Sequence, residues 1–132
     1  MVKKWIIMLS IIAVLIVSCV LESNFVNHSF VFLEDELKKY KEVIQVTPES
    51  EINSEKNILY IEDLHSKWHE KLKGLKCLIW HSGIKDVEVG LSRILTYTTN
   101  QDKTETLAEV NSLIDYLNHY SEDFTIAIEN IL

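Results

Sequence analysis

Two histidines one helical turn apart are the residues of this 132-residue chain whose types and spacing most resemble a chemical site. In His65-Ser66-Lys67-Trp68-His69 both imidazoles fall on one helix face, and Glu62 lies one turn before His65. Such a set could hold Zn²⁺ or Cu²⁺. The glutamate that follows the first histidine in zinc proteases is missing, and no further ligand is specified. Two histidines on a wet helix face are also common, so no resident metal is expected. His81 stands where the helical pattern is interrupted. There it could cap the carbonyl end of one helix, cap the start of the next, or pair with Asp86, and its charge would then follow pH. His28, near the membrane surface, and His119, at the end of the last helix, are unaccompanied. Cys77 lies in the apolar run Leu75 to Trp80 and reads as a small buried hydrophobe rather than a nucleophile. There is no Gly-x-Ser-x-Gly, and Gly74, Gly83 and Gly90 are too far apart for a phosphate loop. No catalytic residue and no cofactor are expected, and the protein is not read as an enzyme.

Whatever these residues do, the stretch that places them is Trp5 to Leu21. It is a run of 17 residues in which only Ser10 and Ser18 carry polar hydroxyls. At 1.5 Å per residue it spans roughly 25 Å, a little short of a hydrocarbon core of about 30 Å. Lys3 and Lys4 precede it and Glu22 follows. Basic residues stay on the cytoplasmic side, so a retained span runs N-in and C-out and puts the rest of the chain outside the cytoplasm. A second reading uses Ile16-Val17-Ser18-Cys19, which resembles a bacterial lipoprotein box with the signal ending at Ser18 and Cys19 lipidated. Against it, Val20 and Leu21 continue the apolar run, and no polar tether follows. The chain therefore divides into an anchor over residues 1–22 and an extracytoplasmic helical domain over residues 23–132.

Beyond Leu21 the chain carries all 20 acidic residues and 11 of the 13 basic ones, a formal charge of −9. Such a surface repels phosphate, which excludes nucleic acid and broad docking on anionic lipid. With only Cys19 and Cys77 present, no structural disulfide is expected. Three glycines and one proline suit long helices with short connections.

The apolar spacing supports that reading. Val26, Phe30, Leu33, Leu37, Tyr40 and Ile44 follow a 4-3-4-3-4 spacing on one face, which could continue the membrane segment without a break. Glu34 to Lys38 and Asp35 to Lys39 are favourable i,i+4 pairs on its wet side. Phe25, Val31 and Phe32 widen the apolar face. Pro48 ends this helix. A second helix runs from Ser54 to about Trp80 on Ile58, Ile61, Leu64, Trp68, Leu72, Leu75 and Ile79. A third, with Ser82 as N-cap, carries Ile84, Val87, Leu91, Ile94 and Leu95. The fourth starts from a capping box of Asp102 and Glu105 and carries Leu107, Val110, Leu113, Ile114, Leu117 and Tyr120. Ser121-Glu122-Asp123 is read as its stop, with Phe124 to Leu132 as an apolar tail covering the bundle. The expected fold is all-α: an N-terminal membrane helix followed by an antiparallel bundle of about four helices.

Trp68, the Trp80-His81 junction and Glu129-Asn130-Ile131-Leu132, taken in that order along the chain, resemble the bacterial family known as domain of unknown function 4363. The resemblance implies a small membrane-anchored helical protein from a Gram-positive, often spore-forming, source. It carries over no activity. Trp80 departs from the acidic residue usual at its place. If the chain has a functional cluster, Trp80, His81, Asp86 and Asn130 are the candidates, because they lie where the resemblance is closest. The function expected is that of a non-catalytic accessory or interaction protein of another membrane or envelope protein, with Phe25, Val31 and Phe32 on its partner surface. A metal or small-ligand binding lipoprotein using Glu62, His65 and His69 is the alternative.

Overall fold

A computed structural model describes residues 1–73 and 81–129; for Ser23, His81, Ser82 and residues 121–129 it describes the backbone alone. Four helices are present among the described residues: α1 (Val2–Val46), α2 (Glu55–Leu72), α3 (His81–Thr99) and α4 (Lys103–Glu129). A short 3-10 turn, Glu49–Glu51, joins α1 to α2. No strand occurs among the described residues. Each helix packs against its neighbours in sequence, and α4 closes the ring against α1. The result is an up-down-up-down antiparallel bundle.

The apolar run and the first bundle helix are one element of 45 residues, roughly 67 Å long. Nothing between Leu21 and Val26 interrupts it. Glu22, Ser23 and Asn24 cost at most about 0.7 kcal/mol each relative to alanine, and neither glycine nor proline intervenes. Residues 1–21 are exposed along their whole length, so this part of α1 stands clear of the bundle. An 18-residue stretch of α1 is long and apolar enough to cross a membrane.

From Val26 onward the α1 stripe enters the core: Val26, Phe30, Leu33, Leu37, Tyr40 and Ile44 are all buried. Ile61, Leu64 and Trp68 of α2, Val87, Leu91 and Ile94 of α3, and Val110, Leu113 and Leu117 of α4 complete it. Gly90 lets α4 come close, since a Cβ there would lie 3.1 Å from a methyl of Leu113.

The connections at the far end are tied by polar contacts. Thr47 adopts an extended conformation before Pro48, which ends α1. Lys103 Nζ then donates to the free carbonyls of Gln45 (3.1 Å) and Thr47 (2.7 Å). Ile52 turns inward and is fully buried, and the buried Asn57 Nδ2 donates to its carbonyl at 3.1 Å. At the end of α3, Gln101 takes a left-handed conformation (φ 63°). The Asp102 N–H reaches back to the Tyr97 carbonyl and the Gln101 N–H to that of Thr98, a Schellman motif.

Several expectations are corrected here. Half of the capping box forms: Asp102 Oδ1 accepts from the Glu105 N–H at 3.0 Å, but the Asp102 N–H is already held by Tyr97, so Glu105 has no donor to reach. Ser82 lies inside α3 and is not its N-cap. Lys39 pairs with Glu36 at 2.7 Å rather than with Asp35, because Glu36 faces α2 and is held there by Tyr60. Ser121-Glu122-Asp123 does not stop α4, which runs on to Glu129. These residues are mediocre helix formers, not breakers, and the apolar spacing continues through Phe124 and Ile128. A separate tail from Phe124 therefore does not exist as far as Glu129. The expected continuation of α2 from Gly74 to Trp80 lies outside the described residues, as does Cys77.

Candidate functional site

The expected cluster is only partly within view. Trp80 and Asn130 lie outside the described residues. His81 is the first residue of α3, and five residues along one helix put Asp86 about 140° around the axis from it. The His81 side chain itself lies outside what is described. Asp86 instead turns toward α4, where Tyr116 and Tyr120 approach it.

This α3–α4 cleft brings a carboxylate and two tyrosine hydroxyls together on the bundle surface. Gly83 opens it, since a Cβ there would lie 2.7 Å from the Tyr120 hydroxyl and 3.2 Å from that of Tyr116. The two tyrosines sit one helical turn apart with ring centroids 5.5 Å from each other. Burial, the neighbouring Tyr120 and then Asp86 push the Tyr116 hydroxyl above its ordinary value. Burial and Asp86 do the same for Tyr120. Farther along, Asp86, Val89, Gly90, Arg93, Glu109 and Tyr116 line an open groove of about 290 Å³, and Arg93 Nη1 meets Glu109 Oε1 loosely at 3.7 Å. Both hydroxyls stay protonated at neutral pH, so the groove offers hydrogen bonding and packing. It shows no activated nucleophile. Sequence reasoning found Asp86 and missed Gly83, Tyr116 and Tyr120. The available signal was a glycine one turn before an aspartate, opposite a Tyr-x-x-x-Tyr pair.

Behind the cleft, aromatic rings join three helices. Phe30 stacks on Trp68 at 5.6 Å and meets Tyr120 edge-on at 5.5 Å. Trp68 is buried, and its Nε1 has no hydrogen-bond partner among the described residues.

The histidine pair of α2 is arranged differently from a metal site. His69 Nδ1 meets Glu88 Oε1 of α3 at 3.0 Å, while His65 is half-buried and Glu62 exposed. No group of three His, Cys, Asp or Glu side chains among the described residues could hold a metal ion. His28 is exposed, and His119 Nδ1 contacts the Asp115 carbonyl at 2.8 Å.

Cys19 is exposed on α1, within unbroken helix. Of the residues widening the α1 face, Phe25 and Val31 are exposed. Phe32 is not free. It packs against the core under the Lys71 ammonium, 4.7 Å from its ring centre, because its side of α1 faces α2.

No curated protein and no solved structure matches this chain. One family model does, over residues 24–131, which takes in the whole bundle from just before Val26. On that match the chain belongs to the family described as domain of unknown function (DUF4363).

Proposed function

We propose that the protein is a membrane-anchored, non-catalytic interaction protein whose bundle stands outside the cytoplasm and docks on another membrane or envelope protein. The observation that supports this reading is the unbroken α1, in which only four residues separate Leu21 at the end of the apolar run from the first core residue, Val26. A soluble domain carrying a removable signal has no need of such continuity. With it, the anchor and the bundle move as one rigid body. Lys3 and Lys4 orient the span N-in and C-out. The acidic, groove-bearing surface then faces the envelope, of a Gram-positive cell on the family resemblance. Lipidation at Cys19 is the competing finer reading, and it would leave six residues between the lipid and Val26 with no polar tether.

The test is crosslinking on intact cells, followed by mild-detergent purification of the full-length chain and mass spectrometry. The expected result is one stoichiometric membrane or envelope partner, lost when Asp86→Lys and Arg93→Glu reverse the groove's charges, together with N-terminal peptides spanning Ser18. Recovery of the chain alone at every crosslinker length would remove the interaction reading. A mature N-terminus at a lipidated Cys19 would replace the span by a lipid anchor.

A further inference from the structure

The groove between α3 and α4 has a shape and a charge that narrow its occupant. Leu113 is buried beneath it, and Val89 and Tyr116 are partly exposed along it. At about 290 Å³ it falls just short of the roughly 300–1,000 Å³ of small-molecule sites, and it is open to solvent. Such a space suits one long side chain entering from another protein.

Two carboxylates stand over this apolar lining. The Glu109 side chain is 21 % exposed and meets Arg93 at 3.7 Å, beyond hydrogen-bonding range. Asp86 lies seven residues before Arg93 on α3, so the two carboxylates are at levels roughly 10 Å apart. A single cation therefore meets one of them and not both. Arg93 already stands by Glu109. Asp86 is exposed, and no lysine or arginine is paired with it among the described residues. The Tyr116 hydroxyl hydrogen-bonds to it, and a carboxylate accepts up to about four such bonds.

The two walls add to the attraction for positive charge. α4 carries six acidic residues and, after Lys103, no lysine or arginine, while α3 carries two of each sign. A field of that sign steers cations toward the groove. A second copy of this chain fits poorly. Two copies anchored in one membrane are related by rotation about its normal, which leaves every residue at its own height and sets Asp86 level with its counterpart. Like charges so placed oppose association.

We infer that the groove receives one lysine or arginine side chain of the partner protein, with its stem over Val89, Leu113 and the Tyr116 ring and its cation at Asp86. The inference rests on the interaction reading above and states what that partner must present. An aliphatic stem covers apolar surface while its charged head stays half in water, and the face of the tyrosine ring attracts the same charge.

The test places photoreactive benzoylphenylalanine in the full-length chain, in its own cells, either at Ser112 in the groove or at the exposed Ser66 of α2. Crosslinked peptides are identified by mass spectrometry. The expected result is that Ser112 captures a partner peptide with a lysine or arginine within a few residues of the crosslink. Asp86→Asn should lower that capture several-fold. Asp86→Glu, which keeps the charge, and Glu62→Gln, which removes one on α2, should leave it. Should Asp86→Asn not fold, the unmutated chain in isolated membranes gives the same reading, since capture at Ser112 should fall several-fold as salt rises from about 0.05 to 0.5 M. Capture that ignores Asp86→Asn or salt, or a captured peptide without a basic residue, overturns the cation and leaves the interaction reading standing. Capture from Ser66 alone, or of a second copy of this chain, overturns it too. Capture from neither position also overturns it, and the co-purification described above then decides whether the interaction reading falls with it.

Discussion

At the end of the bundle far from the apolar run, the turns between helices are fastened by polar contacts, while at the near end the joint among the described residues is built mainly of aromatic rings. Lys103 caps the carbonyls of α1, Asn57 holds Ile52, and Asp102 both ends α3 and starts α4. Nearby, Tyr40 and Thr98 share a buried hydrogen bond of 2.7 Å between α1 and α3. Near the membrane run the joint is Phe30, Trp68 and Tyr120, with Trp68 Nε1 unpaired among the described residues. Polar fastenings fail when misaligned, whereas the ring joint draws on apolar burial and on the preferred stacked and edge-on geometries of its rings. Among the described residues the far end is thus held by capped turns, and the near end by ring packing with the His69–Glu88 contact beside it.

The largest effect should come from the aromatic joint. Trp68→Ala removes the ring that Phe30 stacks on and should cost about 3–5 kcal/mol in denaturant unfolding of the full-length chain in detergent. Trp68→Phe keeps a ring and deletes the indole donor, which has no partner among the described residues, so it should recover most of that loss. If the indole N–H holds a structural water, Trp68→Phe will instead be nearly as costly as alanine, and the near end is as polar as the far one.

Asn57→Ala tests the far end. It leaves the buried Ile52 carbonyl without its side-chain donor, at about 1–3 kcal/mol. A loss below 0.5 kcal/mol on the same unfolding assay, about what a neutral surface change gives, would show that the far-end fastenings are not what holds it.

Alkaline pH separates the α1–α2 seam from the rest. The Tyr60 hydroxyl donates to Glu36 Oε2 at 2.9 Å, and burial, then Glu36 and Asp63, push it up to about 12 from 10. A raised pKa means the folded state favours the proton, so this contribution is complete below pH 10 and disappears as pH climbs toward 12. Tyr40, Tyr116 and Tyr120 are raised as well and add to the same limb. Tyr60→Phe should therefore make the fall in melting temperature above pH 10 shallower without abolishing it. On the acid side Glu36, lowered first by Lys39 and then by Tyr60, contributes above pH 4.5 and loses that contribution as pH falls below it.

What the sequence made legible follows the same division. Helical spacing identified the six buried α1 positions and the continuity from the apolar run, because a stripe of that length has only one way to face a core. The α3–α4 turn was half legible: Asp102 announces a cap, but the Schellman closure depends on backbone geometry at Gln101 that no side chain signals. Ile52 and Asn57 were invisible, since a lone apolar residue in a loop and a lone amide at a helix start carry no period. The overrun of α4 was misread because Ser-Glu-Asp looks polar enough to be a turn, whereas ending a helix takes a backbone that cannot continue. Asp86 drew notice for its nearness to His81 in sequence, while its neighbours in space came from α4, some 30 residues away.

Gln101 offers the smallest and most local of these tests. Its left-handed backbone crowds a Cβ against the preceding carbonyl, a conformation costing roughly 1–2 kcal/mol for a side-chain-bearing residue. The Schellman bonds from Gln101 and Asp102 outweigh that cost here. Glycine at this position relieves the crowding but enlarges the freedom of the unfolded chain, so Gln101→Gly should gain about 0.5–1 kcal/mol rather than the whole amount. The gain should appear as a higher melting temperature with the same unfolding slope in denaturant. An unchanged or lower melting temperature would mean that the Gln101 side chain contributes at the turn something its backbone position does not reveal, and the far end would then depend on more than caps.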